Sequence, residues 1–141
     1  MSDIELQVGV KVLLRNPKGQ FLLIHRSAGM YPEVPNPWEI PGGRIDPGSP
    51  LLDNLKREVT EEVQLPVIGT PHIIDAQDIL RIEGRHVVRL TYLADTNGDP
   101  SLGDEHDDFK WIGLDEILAT EGLDIYVKGT VEKLLHKEIT R

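Results

Sequence analysis

At 141 residues, 39% of them apolar, the chain has the length and composition of a single domain spanning 1–141 around one core. The absence of cysteine excludes disulfides, thiolate zinc sites and a cysteine nucleophile, and it is compatible with a reducing compartment. A net charge of −9 argues against a face for a nucleic acid polymer, although an acidic pocket loaded with divalent cations can still hold a small phosphorylated ligand. The first residues are acidic where a signal peptide is basic, and no apolar run reaches membrane-spanning length. A cytoplasmic protein with no membrane partner is expected.

In chain order, Val8 to Leu14 and Phe21 to His25 predict two strands, joined through Arg15-Asn16-Pro17-Lys18-Gly19-Gln20 as a β-hairpin. Ser27 to Pro37, with three prolines and the large side chains Met30 and Tyr31, predicts an irregular loop, read as either a rim over a pocket or a tolerated insertion. Trp38 to Ile40 reads as a short strand entering a Pro41-Gly42-Gly43 turn. Ser49-Pro50 predicts a helix start, with Ser49 as N-cap and Pro50 in the first turn. Leu52, Leu55, Val59 and Val63 then form one apolar stripe. At about 100° per residue, Glu58 and Glu62 fall at the border of that stripe and Glu61 further toward solvent.

Beyond Pro66, Val67 to Ile82 and Arg85 to Ala94 predict two strands with Glu83-Gly84 as their turn. Thr96 to Asp108 is a polar loop ending in the charged run Asp104-Glu105-His106-Asp107-Asp108. Phe109 to Ile112 predicts the last strand, and Leu114 to Ala119 and Ile125 to His136 predict two helices. The irregular mixture points to an α+β fold with a mixed sheet.

Glu58 and Glu62, four apart beside a core face, repel each other unless a cation sits between them. Hard divalent ions take carboxylate and carbonyl oxygens together with substrate phosphates and water. From the residues alone, a solvated helix face and a metal site for hydrolysis of a phosphoric anhydride both remain open. His25, His72, His86 and His136 have no metal-ligand spacing.

The run of Gly43, five residues, Ser49, seven residues, then Arg57-Glu58-Val59-Thr60-Glu61-Glu62-Val63-Gln64-Leu65 resembles the Nudix box of the MutT-like hydrolases. The order of elements resembles the Nudix α/β/α sandwich over nearly the whole chain. Two positions depart: Ser49 stands where the family has a glutamate that orients the box arginine, and Gln64 replaces a glycine. Asp46 or Asp53 is the expected substitute partner for Arg57.

The resemblance implies that Glu58 and Glu62 bind Mg²⁺, with Mn²⁺ able to substitute, that Glu61 assists, and that the Gly42 carbonyl completes the shell. Arg57 would hold Glu58. The general base would be a box glutamate or a residue of the later charged run, Glu105 before His106. That run resembles the loop of GDP-mannose hydrolases in which a histidine is the base. Arg26, Arg44 and Trp38 are the substrate-binding candidates, Trp38 as a wall for a base or sugar. The implied substrate is a nucleoside diphosphate linked to another group: a modified nucleoside triphosphate, a nucleotide sugar or a dinucleoside polyphosphate. The departures at Ser49 and Gln64 keep a non-catalytic nucleotide-binding or regulatory module as the alternative, and a homodimer is an assembly common among such proteins.

Overall fold

The computed structural model describes residues 3–30 and 32–140, the last three by backbone alone. Tyr31, in the predicted loop, and residues 1, 2 and 141 lie outside them.

Everything is hung on β1 (Glu5–Arg15). On one edge it pairs in parallel with β6 (Arg85–Asp95) along its entire length, from Glu5↔Arg85 to Arg15↔Asp95. On the other edge it meets two different partners. Near its end it closes the predicted hairpin with β2 (Phe21–Arg26) at Arg15↔Phe21, and further back it pairs with β4 (Gly42–Arg44), with Lys11 opposite Gly42. β2 swings away to pair with β3 (Trp38–Glu39) and β7 (His106–Ile112). The sheet therefore splits between β1 and β2, and the chain from Glu39 to Gly42 crosses the split. β5 (Ile68–Ile79) completes the sheet as an antiparallel neighbour of β6, joined through Gly84 at φ 76° as expected.

The apolar runs of β1 and β2 are buried without the polar alternation of a half-exposed strand because both faces of the sheet are covered. Val10, Val12, Leu14, Leu22 and Ile24 pack against α1 (Leu51–Val63) through Leu55, Val59 and Val63. Leu13, Phe21 and Leu23 point the other way. They meet Ile117 of α2 (Leu114–Leu118) and Val127 and Val131 of α3 (Ile125–Thr140). This is the expected α+β architecture, a mixed sheet between helices. None of the described helices is long and apolar enough to cross a membrane.

Four local expectations are corrected. The glycine pair belongs to a strand, because Gly42 and Gly43 pair with Lys11 and Val10. Pro50, not Ser49, occupies the N-cap of α1, and no side chain caps it. The fully buried Asn54 does the work from inside the helix. Its Nδ2 donates to the Pro50 carbonyl at 2.9 Å and its Oδ1 accepts the Asp46 N–H at 3.0 Å. β5 stops at Ile79 rather than Ile82, and β7 begins three residues early, at His106, because β2 supplies partners for His106 and Asp108.

At the other end of α1, Gln64 adopts φ 54°, ψ 39° and donates its N–H to the Val59 and Thr60 carbonyls. Among the described residues it is the only non-glycine with positive φ, so it keeps a left-handed backbone that costs an L residue roughly 1 kcal/mol.

Candidate functional site

Two glycines let α1 press its carboxylates onto the sheet. Gly42 has φ 138°, and a Cβ there would lie 2.0 Å from the Val10 carbonyl. A Cβ on Gly43 would lie 2.7 to 2.8 Å from the carboxyl atoms of Glu58, closer than any side chain tolerates. Because neither position carries a side chain, Glu58 rests against the β4 backbone. One turn on, Glu62 accepts the Gly42 N–H at 3.2 Å on Oε1. The opposite side of the helix is wetter: the Arg57 and Glu61 side chains are 39% and 56% exposed and pair at 3.2 Å. Arg57 also reaches Asn54 Oδ1 at 3.1 Å, Asp46 at 3.3 Å and Glu58 at 3.4 Å. Its expected substitute partner is thus Asp46 together with Asn54, whereas Asp53 forms none of these contacts.

A second acidic centre stands across the split. Glu39, carried by β3, is buried and accepts three donors. Lys11 Nζ at 3.1 Å and Arg26 at 3.1 Å share Oε1, and His106 Nε2 lies 2.8 Å from Oε2. His106 Nε2 is also 3.7 Å from Glu62, which brings the two carboxylates to the same ring. Glu39, Glu62 and His106 each offer a ligand atom within 4.8 Å of the others.

The two carboxyls titrate in opposite directions. Burial pushes the Glu39 carboxyl up, but the Lys11 ammonium, the hydrogen bond from His106 and the Arg26 charge together outweigh it. The group is held far below the usual carboxylate range. Glu62 is pushed up to about 8, by burial first and by the charges of Glu39 and Glu58, against the pull of Lys11 and the Gly42 N–H. A proton on His106 Nε2 is required opposite an ionised Glu39, which leaves Nδ1 buried and, among the described residues, without a hydrogen-bond partner.

Gly42, Glu58, Glu62, Arg26, Arg44, Glu105 and His106 all line one cleft of about 630 Å³. Arg57 and Glu61 do not line it; they lie on the exposed side of α1. Trp38 is also outside its lining. The His25 ring meets Trp38 edge-on at 4.9 Å and Lys110 Nζ lies 4.5 Å from its centroid. His106 sits in β7, not in a loop, and is buried. Glu105, immediately before it, accepts the Ser27 N–H on its carbonyl at 2.8 Å, which ties the 27–37 loop to the cleft mouth.

Sequence reasoning missed Glu39, Lys11 and Asn54, and also Arg81 and Arg89 on the β5–β6 wall. A signal was present for the first two. Lys11 interrupts the apolar run of β1, and Glu39 stands between Trp38 and Ile40; charges in buried strands need partners.

The donor set suits a divalent cation. Glu58 and Glu62 line one cleft four residues apart on α1, and burial disfavours the charge of Glu62 by more than the pull of Lys11 and the Gly42 N–H offset. A metal neutralises such a group.

Comparison with known proteins identifies the family. A family model for the NUDIX domain matches residues 5–131. The asymmetrical bis(5'-nucleosyl)-tetraphosphatase of Mus musculus is 30% identical over 111 residues, covering 69% of this chain and 66% of that protein. The chain thus spans about two thirds of that relative's length. The crystal structure of a MutT protein from Methanosarcina mazei Go1 superposes with a TM-score of 0.82 at 26% identity, covering 98% of this chain and 99% of that one. A MutT NUDIX hydrolase from Burkholderia pseudomallei gives 0.75 at 26% identity, over 91% and 97%. With Glu58 and Glu62 of α1 held against β4 and the family match running over nearly all of the chain, the protein belongs to the Nudix hydrolase family.

Proposed function

We propose that the chain is a divalent-metal-dependent pyrophosphohydrolase that cleaves a phosphoric anhydride of a nucleoside diphosphate linked to another group. The observation that carries this is the placement of Glu58 and Glu62 against Gly42 and Gly43 in a cleft whose other walls carry arginines. Glu58 and Glu62 would hold Mg²⁺, with Mn²⁺ able to replace it. When bound, such an ion polarises a phosphoryl oxygen and acidifies a coordinated water.

The chain's own residues do the rest. Arg26 and Arg44 offer cationic contacts to phosphate oxygens. Arg57, held by Asn54 and Asp46, positions Glu58 from behind. Water oxygen bonds to phosphorus, the bond from phosphorus to the bridging oxygen breaks, and the water proton passes to a base. His106 Nε2 already donates to Glu39, so a base at the cleft mouth is better served by Glu105.

Among substrates, a dinucleoside polyphosphate takes first place because the tetraphosphatase of Mus musculus is named for one. Nucleoside triphosphates and nucleotide sugars are the comparison. The alternative of a binding module without turnover rested on Ser49 and Gln64. Asn54 now supplies the arginine contact, and Gln64 keeps the glycine-like backbone, which supports hydrolysis instead. A cytoplasmic location, the absence of a nucleic acid partner and a homodimer accompany this reading as expectations from charge and resemblance.

The test is product release from diadenosine tetraphosphate, a nucleoside triphosphate set and a nucleotide sugar with Mg²⁺, for the wild type beside Glu62→Gln. Turnover of at least one substrate, reduced about 100-fold or more in the variant, supports the reading. Equal turnover by the two proteins would remove Glu62 from the metal site. Tight binding of a substrate without turnover would establish the module.

A further inference from the structure

The expected shell of the metal includes the Gly42 carbonyl, and in this chain that oxygen also faces a cation of the protein's own. Lys11 Nζ donates to it at 3.2 Å, to the Ile40 carbonyl at 3.2 Å and to Glu39 Oε1 at 3.1 Å. An ammonium has three protons, and these three bonds use them all. Lys11 is 7% exposed, on the same face of β1 as Leu13. Its backbone is fixed by β6 on one side and by Gly42 of β4 on the other. A lysine held this way has no donor left for a substrate phosphate and no strand freedom with which to withdraw.

Resting on the metal reading above, we infer that Lys11 is a built-in monovalent cation of the site. It occupies the corner formed by the Gly42 carbonyl, the Ile40 carbonyl and Glu39, and confines divalent ions to Glu58 and Glu62. Two carbonyl oxygens and a carboxylate converging on one point are the ligand types a hard cation takes. Here a side chain of the protein fills that point. A divalent ion bound to the same Gly42 oxygen would share it with the ammonium, and like charges that close in a buried place repel each other. The carbonyl is therefore not a metal ligand in this chain, and the site holds one divalent ion fewer than its oxygen atoms would allow.

The test is a titration of metal-free protein with Mn²⁺, with free Mn²⁺ counted by electron paramagnetic resonance and melting followed with and without the ion. Lys11→Met should bind one more Mn²⁺ per chain than the wild type, and its melting temperature should rise more on adding Mn²⁺. Lys11→Arg, which keeps the charge, should return the wild-type count. If Lys11→Met does not fold, Lys11→Gln is judged by the same criteria. A folded Met or Gln variant with the wild-type count and unchanged affinity would overturn the inference while leaving the metal reading intact. A wild type that binds no Mn²⁺ would instead remove the metal reading and this inference with it.

Discussion

Glu39 and Glu62 are equally buried, at 6% exposure each, and both face the ring of His106, yet they carry charge on different terms. Glu39 is met by an ammonium, a guanidinium and an imidazole N–H, and is held far below the usual carboxylate range. Glu62 receives one backbone N–H and two carboxylate neighbours, and burial lifts its titration to about 8. The centre is thus closed electrostatically on the β3 side and open on the α1 side. What differs is how the cations are engaged: Lys11 and Arg26 hydrogen-bond Glu39 directly, whereas Glu62 feels the Lys11 charge without such a bond and has His106 Nε2 at 3.7 Å, and this is the side a metal would complete.

The harshest way to break this contrast is to remove the closed member. Glu39→Gln leaves Lys11, Arg26 and His106 around a neutral amide, and stripping one partner from a buried ionic cluster costs about 3–5 kcal/mol. Urea or thermal unfolding should show that loss even though no substrate contact is involved.

Asn54→Ala should come next. It strands the Asp46 N–H, removes a contact from Arg57 and loses the link to Pro50, at a cost of about 1–3 kcal/mol in unfolding measurements. It should also lower turnover, because Arg57 positions Glu58.

Glu62→Gln sharpens the contrast through pH. The folded protein keeps a proton on Glu62 up to about pH 8, whereas an unfolded carboxyl loses it near its ordinary value of 4.5. Between those values the native state binds more protons, so the contribution of this group to stability is full at low pH and is lost as pH rises through the window. Glu39 has the opposite sign: its contribution is present above the ordinary carboxyl range and is lost as pH falls toward strong acid. Metal-free Glu62→Gln should therefore be more stable than the wild type at pH 8, by up to about 4 kcal/mol, with a flatter pH profile between 5 and 8 in chemical denaturation.

The smallest effect belongs to the helix end. Gln64→Gly relieves the left-handed strain and adds unfolded-state freedom in return, for a net gain of about 0.5 kcal/mol and unchanged turnover. A loss of stability on that substitution would mean that the Gln64 side chain contributes more than its backbone costs.

Much of the fold was legible because its signals are local. The hairpin turn at Asn16 to Gly19, the turn at Gly84 and the stripe of Leu55, Val59 and Val63 each act within a few residues. The carboxylates of α1 were legible for the same reason, since one helix carries them. The other half of the centre was legible only in Arg26 and His106, and Lys11 and Glu39 escaped because the four residues lie on four strands that meet only through pairing. Nothing near Glu39 in the chain announces that Lys11 will neutralise it from 28 positions away. The early start of β7 was hidden similarly: Asp107 and Asp108 are poor strand formers, and it is β2 that makes a strand of them. Asn54 reads as an ordinary helix residue until the 46–50 loop folds over it.

The contrast between the two carboxylates is tested most directly by the Mn²⁺ affinity of folded Glu62→Gln and folded Glu39→Gln beside the wild type, at one pH and ionic strength. Glu62→Gln should lose about 100-fold or more and Glu39→Gln clearly less, about 10-fold, as for a ligand against a residue behind it. An equal or larger loss in Glu39→Gln would contradict that contrast, and would place the divalent ion on the side that Lys11 is described as closing.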